Sequence, residues 1–139
     1  MKHSAPHAHG PAAPLWRAAA AQRLLLPYCS ACERYRWPVR ASCPKCRQAL
    51  QWCEASGRGR IEAYSVVRRA ASPELAQAVP YVVAFVALEE GVRLFSHIVE
   101  IAPQDLRTGM PVRCRFEPSL DPALAVPVFA PAEASASKP

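Results

Sequence analysis

Four cysteines in one short segment constrain this chain more than any other feature. Cys29, Cys32, Cys43 and Cys46 form a C-x2-C-x10-C-x2-C array. Each C-x2-C turn places two thiolates on one side of a tight loop, and two such turns complete the tetrahedral set of ligands that Zn²⁺ prefers. Because four thiolates leave no coordination position for a substrate, the array predicts a structural metal site rather than a catalytic one.

Other interpretations of the array stay open at this point. Two disulfides would need an oxidising compartment, and a redox C-x-x-C motif usually comes singly and near a βαβ pattern. The first residues, MKHSAPHAHG, have no apolar segment of the kind found in a signal peptide. We therefore expect a cytoplasmic protein with structural Zn²⁺ in the array, although iron suits the same tetrahedral thiolate set.

The net charge of +6 is concentrated in the N-terminal part of the chain. Residues 1–56 carry eight Lys and Arg against two Glu, whereas residues 57–139 carry nine basic and nine acidic residues. Four thiolates around Zn²⁺ leave a net charge of about −2 at the array, which offsets part of this excess. No apolar run approaches the roughly 20 residues that a membrane-spanning helix needs, so we expect no membrane contact.

The N-terminal part of the chain divides into three predicted segments. Residues 1–14 are rich in Ala, Pro and His, which predicts a disordered arm. Residues 15–26 (LWRAAAAQRLLL) are good helix formers and stop before Pro27, which predicts a helix. Residues 27–56 form the predicted zinc ribbon, in which Tyr35, Trp37 and Pro38 are expected to make an aromatic plug beside the metal.

Residues 57–130 change to a strand pattern, and residues 131–139 are predicted to be a disordered tail. The predicted strands cover 59–70, 81–89, 92–101, 112–117 and 124–129, with a helical turn within 103–111. Five strands with a helical turn between the third and fourth are typical of a Greek-key barrel of OB type. The predicted fold class is thus mainly β, with an N-terminal helix, a four-cysteine zinc ribbon and a five-stranded OB-type barrel.

The order of these features resembles the zinc-ribbon/OB-fold family, formerly a domain of unknown function and now associated with acyl-CoA enzymes. The most specific matches are the cysteine array followed by Gly57-Arg58-Gly59, the strand start Pro80-Tyr81-Val82-Val83, and the turn Gly109-Met110-Pro111-Val112. The resemblance runs from about Trp16 to Phe129 and matches the four cysteines to the family's zinc ligands. Glu33 and Arg47 stand where family knuckles often have glycine, and side chains disfavour the left-handed backbone that glycine allows.

The resemblance implies a small non-catalytic scaffold that binds a thiolase-like or hydratase-like enzyme and helps to form an acyl-CoA pocket. The residues themselves agree with a protein that is not an enzyme. Outside the array only Cys53 and Cys114 remain as thiols, and His97 is the only histidine of the predicted folded part. We interpret His97 as structural, since the sequence contains no G-x-S-x-G, phosphate-loop or H-E-x-x-H motif.

Single-stranded nucleic acid is the alternative ligand, because OB folds and zinc ribbons both serve that role. Tyr81, Phe85 and Phe95 are candidate stacking residues. The same strands carry Glu89, Glu90 and Glu100 against the single Arg93, a balance that disfavours phosphates. Nucleic acid is therefore the less favoured partner.

The strand 81–88 is apolar on both faces, although only one face of a barrel strand points inward. Either the N-terminal helix covers the outer face, or a partner enzyme or an acyl chain does. Basic residues of the ribbon are expected to attract the phosphates of CoA. The candidate residues for acyl-CoA or partner contact are Arg34, Arg36, Arg40, Tyr81, Phe85 and Phe95.

Overall fold

The structure is a computed structural model that describes residues 3, 5–70, 73, 76 and 78–132. One helix is followed by a three-stranded ribbon sheet and then by a five-stranded barrel. The helix α1 spans Ala13–Ala20, and the ribbon strands are β1 (Leu25–Cys29), β2 (Arg34–Tyr35) and β3 (Gln51–Glu54). The barrel strands are β4 (Arg58–Val67), β5 (Tyr81–Leu88), β6 (Arg93–Ile98), β7 (Pro111–Pro118) and β8 (Ala125–Pro131).

The barrel has the connectivity of an OB fold. Its strand order is β4-β5-β6-β8-β7, and β4 closes the barrel by pairing antiparallel with both β5 and β7. The contact between β6 and β8 is parallel and pairs Ile98 with Phe129. A single 3-10 turn, Pro103–Asp105, lies between β6 and β7, where the sequence predicted it. The predicted fold class is confirmed.

Alternation along the strands fills the barrel interior. On β5 the buried residues are Val82, Ala84, Val86 and Leu88, whereas Tyr81, Val83, Phe85 and Ala87 point outward. Phe129 and Val128 of β8 are completely buried, and Ile61 of β4 is nearly so. At about 25 cal/mol per Å² of apolar surface, this burial stabilises the barrel without any metal.

Gly59 lies at the point of closure, where β4 is opposite Leu88 of β5 on one side and Val112 of β7 on the other. A Cβ at this position would lie 2.7 Å from the Ala87 carbonyl oxygen and 2.8 Å from Val86 Cγ1. Because real Cβ atoms essentially never come that close to backbone, the strands can approach to hydrogen-bonding distance only with glycine here.

The helix prediction was wrong at its C-terminal end. The helix stops at Ala20, Gln22 adopts a left-handed backbone (φ 65°), and Leu25–Leu26 begin strand β1. The chain leaves the helix because Leu24 and Leu26 become fully buried, and each such burial contributes about 1.5–3 kcal/mol. Helix propensity differs by only tenths of a kcal/mol per residue among these side chains, so tertiary burial decides.

The N-terminal arm also differs from the prediction, since part of it packs on the barrel. His3 forms an isolated parallel bridge with Ser119, and its Nε2 lies 2.8 Å from Glu117 Oε1. The Arg17 guanidinium donates a hydrogen bond to the Ala8 carbonyl. Composition alone does not reveal such long-range partners. The predicted disordered tail falls, from residue 133 on, outside the described residues.

A search of the described part of the chain finds no helix with the length and apolar character needed to cross a membrane.

Candidate metal centre and adjoining groove

The four array cysteines converge into one site, which we call the thiol cluster (Cys29, Cys32, Cys43 and Cys46). All four Sγ atoms lie within 4.8 Å of one another. The Sγ atoms of Cys29 and Cys46 are 3.4 Å apart, and those of Cys32 and Cys43 are 4.0 Å apart. A tetrahedron with metal–sulfur bonds of about 2.3 Å has edges of about 3.8 Å, so the cluster has the size of a tetrahedral thiolate site.

The cluster does not contain disulfides, the alternative that the sequence left open. All six cysteines of the chain are free. The two short sulfur–sulfur distances quoted above are well beyond the about 2.05 Å of a disulfide bond.

Two turns of the ribbon position the thiols. The Cys32 N–H donates to Cys29 Sγ at 3.3 Å in the first knuckle, and the Arg47 N–H donates to the Cys43 carbonyl at 2.8 Å in the second. Glu33 and Arg47, the residues that replace glycine, have φ values of 56° and 67°. The left-handed knuckle backbone is therefore kept in spite of the larger side chains, at some cost in strain.

The acid–base properties of the cluster favour a cation. Backbone N–H groups of Cys46 and Lys45 lower the pKa of Cys43 to about 6. The Gln48 N–H lowers the pKa of Cys46, but contact with the Cys29 sulfur and burial outweigh this effect. The pKa of Cys46 is therefore raised to about 11. Metal binding releases protons from thiols, so the low pKa of Cys43 favours a divalent cation at the cluster.

Arg36 is a basic residue of the ribbon that lies close to the thiols of Cys32 and Cys43. The pKa of Arg36 is raised, chiefly by the thiol of Cys32 and further by that of Cys43. Its Nε and Nη2 nitrogens are buried and lack a well-oriented hydrogen-bond acceptor among the described residues. Because a Zn²⁺ bound by four thiolates carries a net negative charge, it would satisfy these buried donors, so the surroundings fit the group.

A groove of about 550 Å³ separates the ribbon from the barrel, and we call it the ribbon–barrel groove. Its ribbon wall and its barrel wall are both aromatic and basic. The ribbon wall consists of Tyr35, Arg36, Trp37, Pro38, Arg40 and Pro44, and the barrel wall of Phe85, Gly91, Val92, Arg93 and Phe95.

Phe85 and Phe95 form an aromatic pair on the barrel wall. They face each other across β5 and β6, with ring centroids 5.0 Å apart, and they are 41% and 61% exposed. The guanidinium of Arg93 lies 5.2 Å from the centroid of the Phe85 ring and 2.9 Å from Glu62 Oε1. This barrel wall therefore offers flat apolar surface beside one partly neutralised cation.

Four of the six predicted contact residues line the groove, namely Arg36, Arg40, Phe85 and Phe95. Arg34 is exposed on β2, outside the lining residues, and Tyr81 lies elsewhere, stacked on His97 with ring centroids 5.2 Å apart. Sequence reasoning missed that Tyr35 and Trp37 also line the groove. Their position between the cysteine pairs was the available signal, but it indicated only a plug beside the metal.

The outer face of β5 is not covered by the helix. Helix α1 packs mainly on β8, β1 and β7. The helix, one of the two covers that the sequence allowed, is therefore excluded, and the described residues leave Phe85 and Phe95 exposed. Exposed apolar patches of this kind commonly mark interaction sites.

The remaining candidate nucleophile and base have structural surroundings. Burial raises the pKa of Cys114 to about 12, so its thiol stays protonated at neutral pH. The pKa of His97 is lowered, chiefly by burial and also by the nearby His3. Its ring packs between Tyr81 and His3, and its Nδ1 is buried without a hydrogen-bond partner in the described part of the chain. This setting agrees with a packed histidine rather than a solvent-accessible base.

The thiol cluster and the closed barrel define the class of protein in which a rubredoxin-like ribbon precedes an OB fold. Comparison with known families makes the assignment specific. Residues 16–51 match the rubredoxin-like zinc ribbon domain of ChsH2, and residues 52–117 match the C-terminal OB-fold domain of ChsH2. The chain belongs to this zinc-ribbon and OB-fold family, whose relatives carry the name DUF35.

The chain matches only part of the curated relatives. A probable enoyl-CoA hydratase alpha subunit of Thermomonospora curvata is 40% identical over 119 residues, which cover 84% of this chain and 36% of the relative. A DUF35 domain-containing scaffold protein of Methanocaldococcus jannaschii is 39% identical over 90 residues, which cover 63% of each chain. The chain thus spans about a third of the first relative and less than two thirds of the second.

Solved structures share the fold. A chain of a structure named Ltp2-ChsH2(DUF35) aldolase superposes with a TM-score of 0.81 at 37% identity, covering 92% of this chain and 99% of that one. A DUF35 protein of unknown function from Sulfolobus solfataricus superposes with a TM-score of 0.54 at 16% identity, covering 88% of this chain and 86% of that one. The second likeness supports the fold alone.

Proposed function

We propose that this chain is a zinc-binding, non-catalytic scaffold subunit of an acyl-CoA-processing enzyme of the thiolase-like or hydratase-like class. It docks on that enzyme through the outer face of the barrel and contributes to acyl-CoA binding. The observation that carries the proposal is the ribbon–barrel groove, in which aromatic and basic side chains meet on a surface that the described residues leave uncovered.

The metal has a structural role in this proposal. Cys29, Cys32, Cys43 and Cys46 would hold Zn²⁺, which when bound cross-links the two knuckles and leaves no open coordination position. Iron is the alternative metal for four thiolates. Metal analysis of purified protein is the test: we expect about one zinc per chain, and iron in that amount would replace this assignment.

The surroundings of Cys114 and His97 support an accessory role. A nucleophile needs a base within reach, and a third group must orient that base. The thiol of Cys114 is half-buried and has a raised pKa, and the ring of His97 is packed between two other rings. The relatives named scaffold proteins agree with this interpretation. We expect the purified chain alone to turn over no acyl-CoA thioester.

The names of two similar proteins support the choice of partner. One is called an enoyl-CoA hydratase alpha subunit, and the other lies in a structure named for an aldolase. The first name describes a subunit of an enzyme that acts on a CoA thioester. We transfer to this chain only the general role, a subunit beside an acyl-CoA enzyme, and place it in the cytoplasm.

A pull-down from the source cells tests the docking proposal. The tagged chain is bound at moderate salt, with and without nuclease, and retained proteins are identified and then purified for mixing. We expect a thiolase-like or hydratase-like enzyme that survives nuclease treatment and co-elutes with the chain as a stoichiometric complex. Tyr64→Asp, on the barrel but outside the groove lining, should weaken that complex, whereas Leu120→Asp, at an exposed position also outside the groove, should not.

Single-stranded nucleic acid stays as a second candidate because three exposed aromatic residues lie on adjacent barrel strands: Tyr64, Phe85 and Phe95. The surrounding charges disfavour it. Arg58 pairs with Glu89, Arg93 with Glu62 and Arg115 with Glu100, all within 3.1 Å, so these strands carry little surplus positive charge. Retention of nucleic acid alone, lost as salt rises, would favour this candidate over the enzyme partner.

A further inference from the structure

We infer that the ribbon–barrel groove binds the nucleotide end of a CoA thioester, that is, a planar base with phosphate groups attached, and not its acyl chain. This inference rests on the proposed function for the identity of the ligand, but its argument comes from the groove itself. The thioester end of the ligand would then extend away from this chain, towards the enzyme partner.

The groove places aromatic rings beside arginines, and a phosphorylated base can bind to both. The base would lie on the aromatic pair, Phe85 and Phe95, whose exposed rings provide the flat apolar surface. Stacking of a base on an aromatic side chain contributes about 1–3 kcal/mol in other nucleotide sites. An acyl chain has no such preference for a flat exposed surface, because it is best sheltered from water on all sides.

The arginines that line the groove differ in how far other groups already neutralise their charge, and so in how well they could bind phosphate. Arg40 is exposed and has no ion pair in the described residues. Arg93 shares its charge with Glu62 at 2.9 Å. Arg36 faces the thiols of Cys32 and Cys43. Arg40 is therefore the main phosphate ligand in this inference, and Arg93 is the second.

The barrel interior offers no alternative place for an acyl chain. Val86, Val128 and Phe129 are completely buried and fill the centre with side chains. A small five-stranded barrel holds side chains rather than a ligand. An apolar crevice under helix α1, lined by Trp16, Trp37 and Phe95 among others, measures only about 130 Å³. The groove, at about 550 Å³, has the size of a small-molecule site.

A metal in the thiol cluster would support the ribbon wall of the groove. Tyr35, Arg36 and Trp37 lie between the two cysteine pairs, and Arg40 follows three residues later. Metal binding at the thiol cluster would hold this wall opposite the barrel, with the half-buried Arg36 close to the thiols of Cys32 and Cys43. Removing the metal should therefore abolish nucleotide binding as well as unfold the ribbon.

Calorimetry on the full zinc-loaded chain, and on its complex with the enzyme, tests the inference. The probes are adenosine 3′,5′-bisphosphate, CoA, and an S-acyl-pantetheine that lacks the nucleotide. We expect the first two to bind and the third to bind far more weakly to the isolated chain. Arg40→Ala should lower the affinity for the bisphosphate about tenfold, as expected for loss of one charge-assisted hydrogen bond.

Matched variants keep the result interpretable. Phe95→Ala should also weaken binding, whereas Arg113→Ala, an exposed arginine of β7 that does not line the groove, should leave it unchanged. Arg40, Phe95 and Arg113 are all exposed, so the three variants should fold. Unchanged thermal denaturation would verify this. Chelation of the metal should remove binding of the bisphosphate.

Several results would overturn the inference. These are binding of acyl-pantetheine but not of the bisphosphate, an equal loss with Arg113→Ala and Arg40→Ala, or no bisphosphate binding by either the chain or the complex. Much tighter binding of a single-stranded oligonucleotide would assign the groove to nucleic acid instead. Capture of the enzyme partner without bisphosphate binding would refute only this inference. Bisphosphate binding without any enzyme partner would refute only the scaffold role.

Discussion

The ribbon and the barrel of this protein are stabilised by different interactions. The barrel closes five strands around a continuous apolar core, with Val86, Val128 and Phe129 completely buried. The metal-proximal half of the ribbon has strands as short as two residues, and its fully buried side chains are Cys29 and Cys43. Apolar burial stabilises the first region, whereas the second depends on what its cysteines bind.

The boundary between the part stabilised by apolar burial and the part that depends on the cysteines lies within the ribbon. Leu24, Leu26 and Ala55, which we call the ribbon root, belong to the same buried cluster as the barrel residues. The Ala55 N–H donates to the Leu24 carbonyl at 2.9 Å and joins the two sides of the root. We therefore expect dependence on the metal to be strongest in the segment between the root residues, so that one short sheet is stabilised differently at its two ends.

Removal of the metal should have the largest effect and should separate the two regions. Chelation, or Cys32→Ser, should unfold the chain between β1 and β3 while the barrel and the ribbon root stay folded, because zinc binding contributes about 10–16 kcal/mol in comparable modules. Amide hydrogen exchange read by NMR should report loss of protection at Arg36 and Arg47, and retained protection at Val86. A barrel that unfolds together with the ribbon would contradict the division.

Cys53→Ser is the matched control for that experiment. Cys53 lies on β3 of the same ribbon but outside the thiol cluster. We expect its replacement to keep the zinc content and the exchange pattern of the parent chain. Loss of zinc in this variant would mean that the ligand set is wrong.

A cavity in the barrel core should have the next largest effect, and in the opposite region. Phe129→Ala should lower the free energy of unfolding of the barrel by about 3–5 kcal/mol, because Phe129 is completely buried. Urea denaturation followed by far-UV circular dichroism would measure it. Phe95→Ala, at a position 61% exposed, should cost about 1 kcal/mol or less.

Gly59→Ala should destabilise the barrel by about 1–3 kcal/mol, the usual cost of overpacking. The added Cβ would lie 2.7 Å from the Ala87 carbonyl oxygen, so β4 and β5 would have to separate at the point of closure. Denaturant midpoints of the zinc-loaded protein are the measurement. Ser65→Ala, on the same strand at an exposed position, should leave the midpoint nearly unchanged.

The smallest expected effect concerns pH and the barrel alone. Burial lowers the pKa of His97 below its usual value, so below about pH 6.5 the unfolded chain takes up a proton that the folded chain resists. The contribution to stability is therefore complete above that pH and falls as the pH decreases towards the folded-state pKa. His97→Gln should make the decline between pH 7 and 5 shallower in urea denaturation, whereas His9→Gln, in the exposed part of the arm, should not.

Local patterns accounted for much of the fold. The five barrel strands and the 3-10 turn were predicted within a few residues, because alternating burial and turn residues are local signals. The helix end was not predictable in this way, since the run of alanine and leucine has high helix propensity throughout. Only the burial of Leu24 and Leu26 against the barrel explains why the chain leaves the helix before them.

The candidate site divides in the same manner. The spacing of four cysteines determined the thiol cluster, because two C-x2-C turns have few ways to bring four sulfurs together. The ribbon–barrel groove depends instead on how two separate units pack, and no local pattern joins Arg40 to Phe95 across more than 50 residues. The sequence by itself therefore determined the type of metal site and the kind of barrel. The tertiary structure alone decided which aromatic and basic residues face each other, because long-range packing sets those distances.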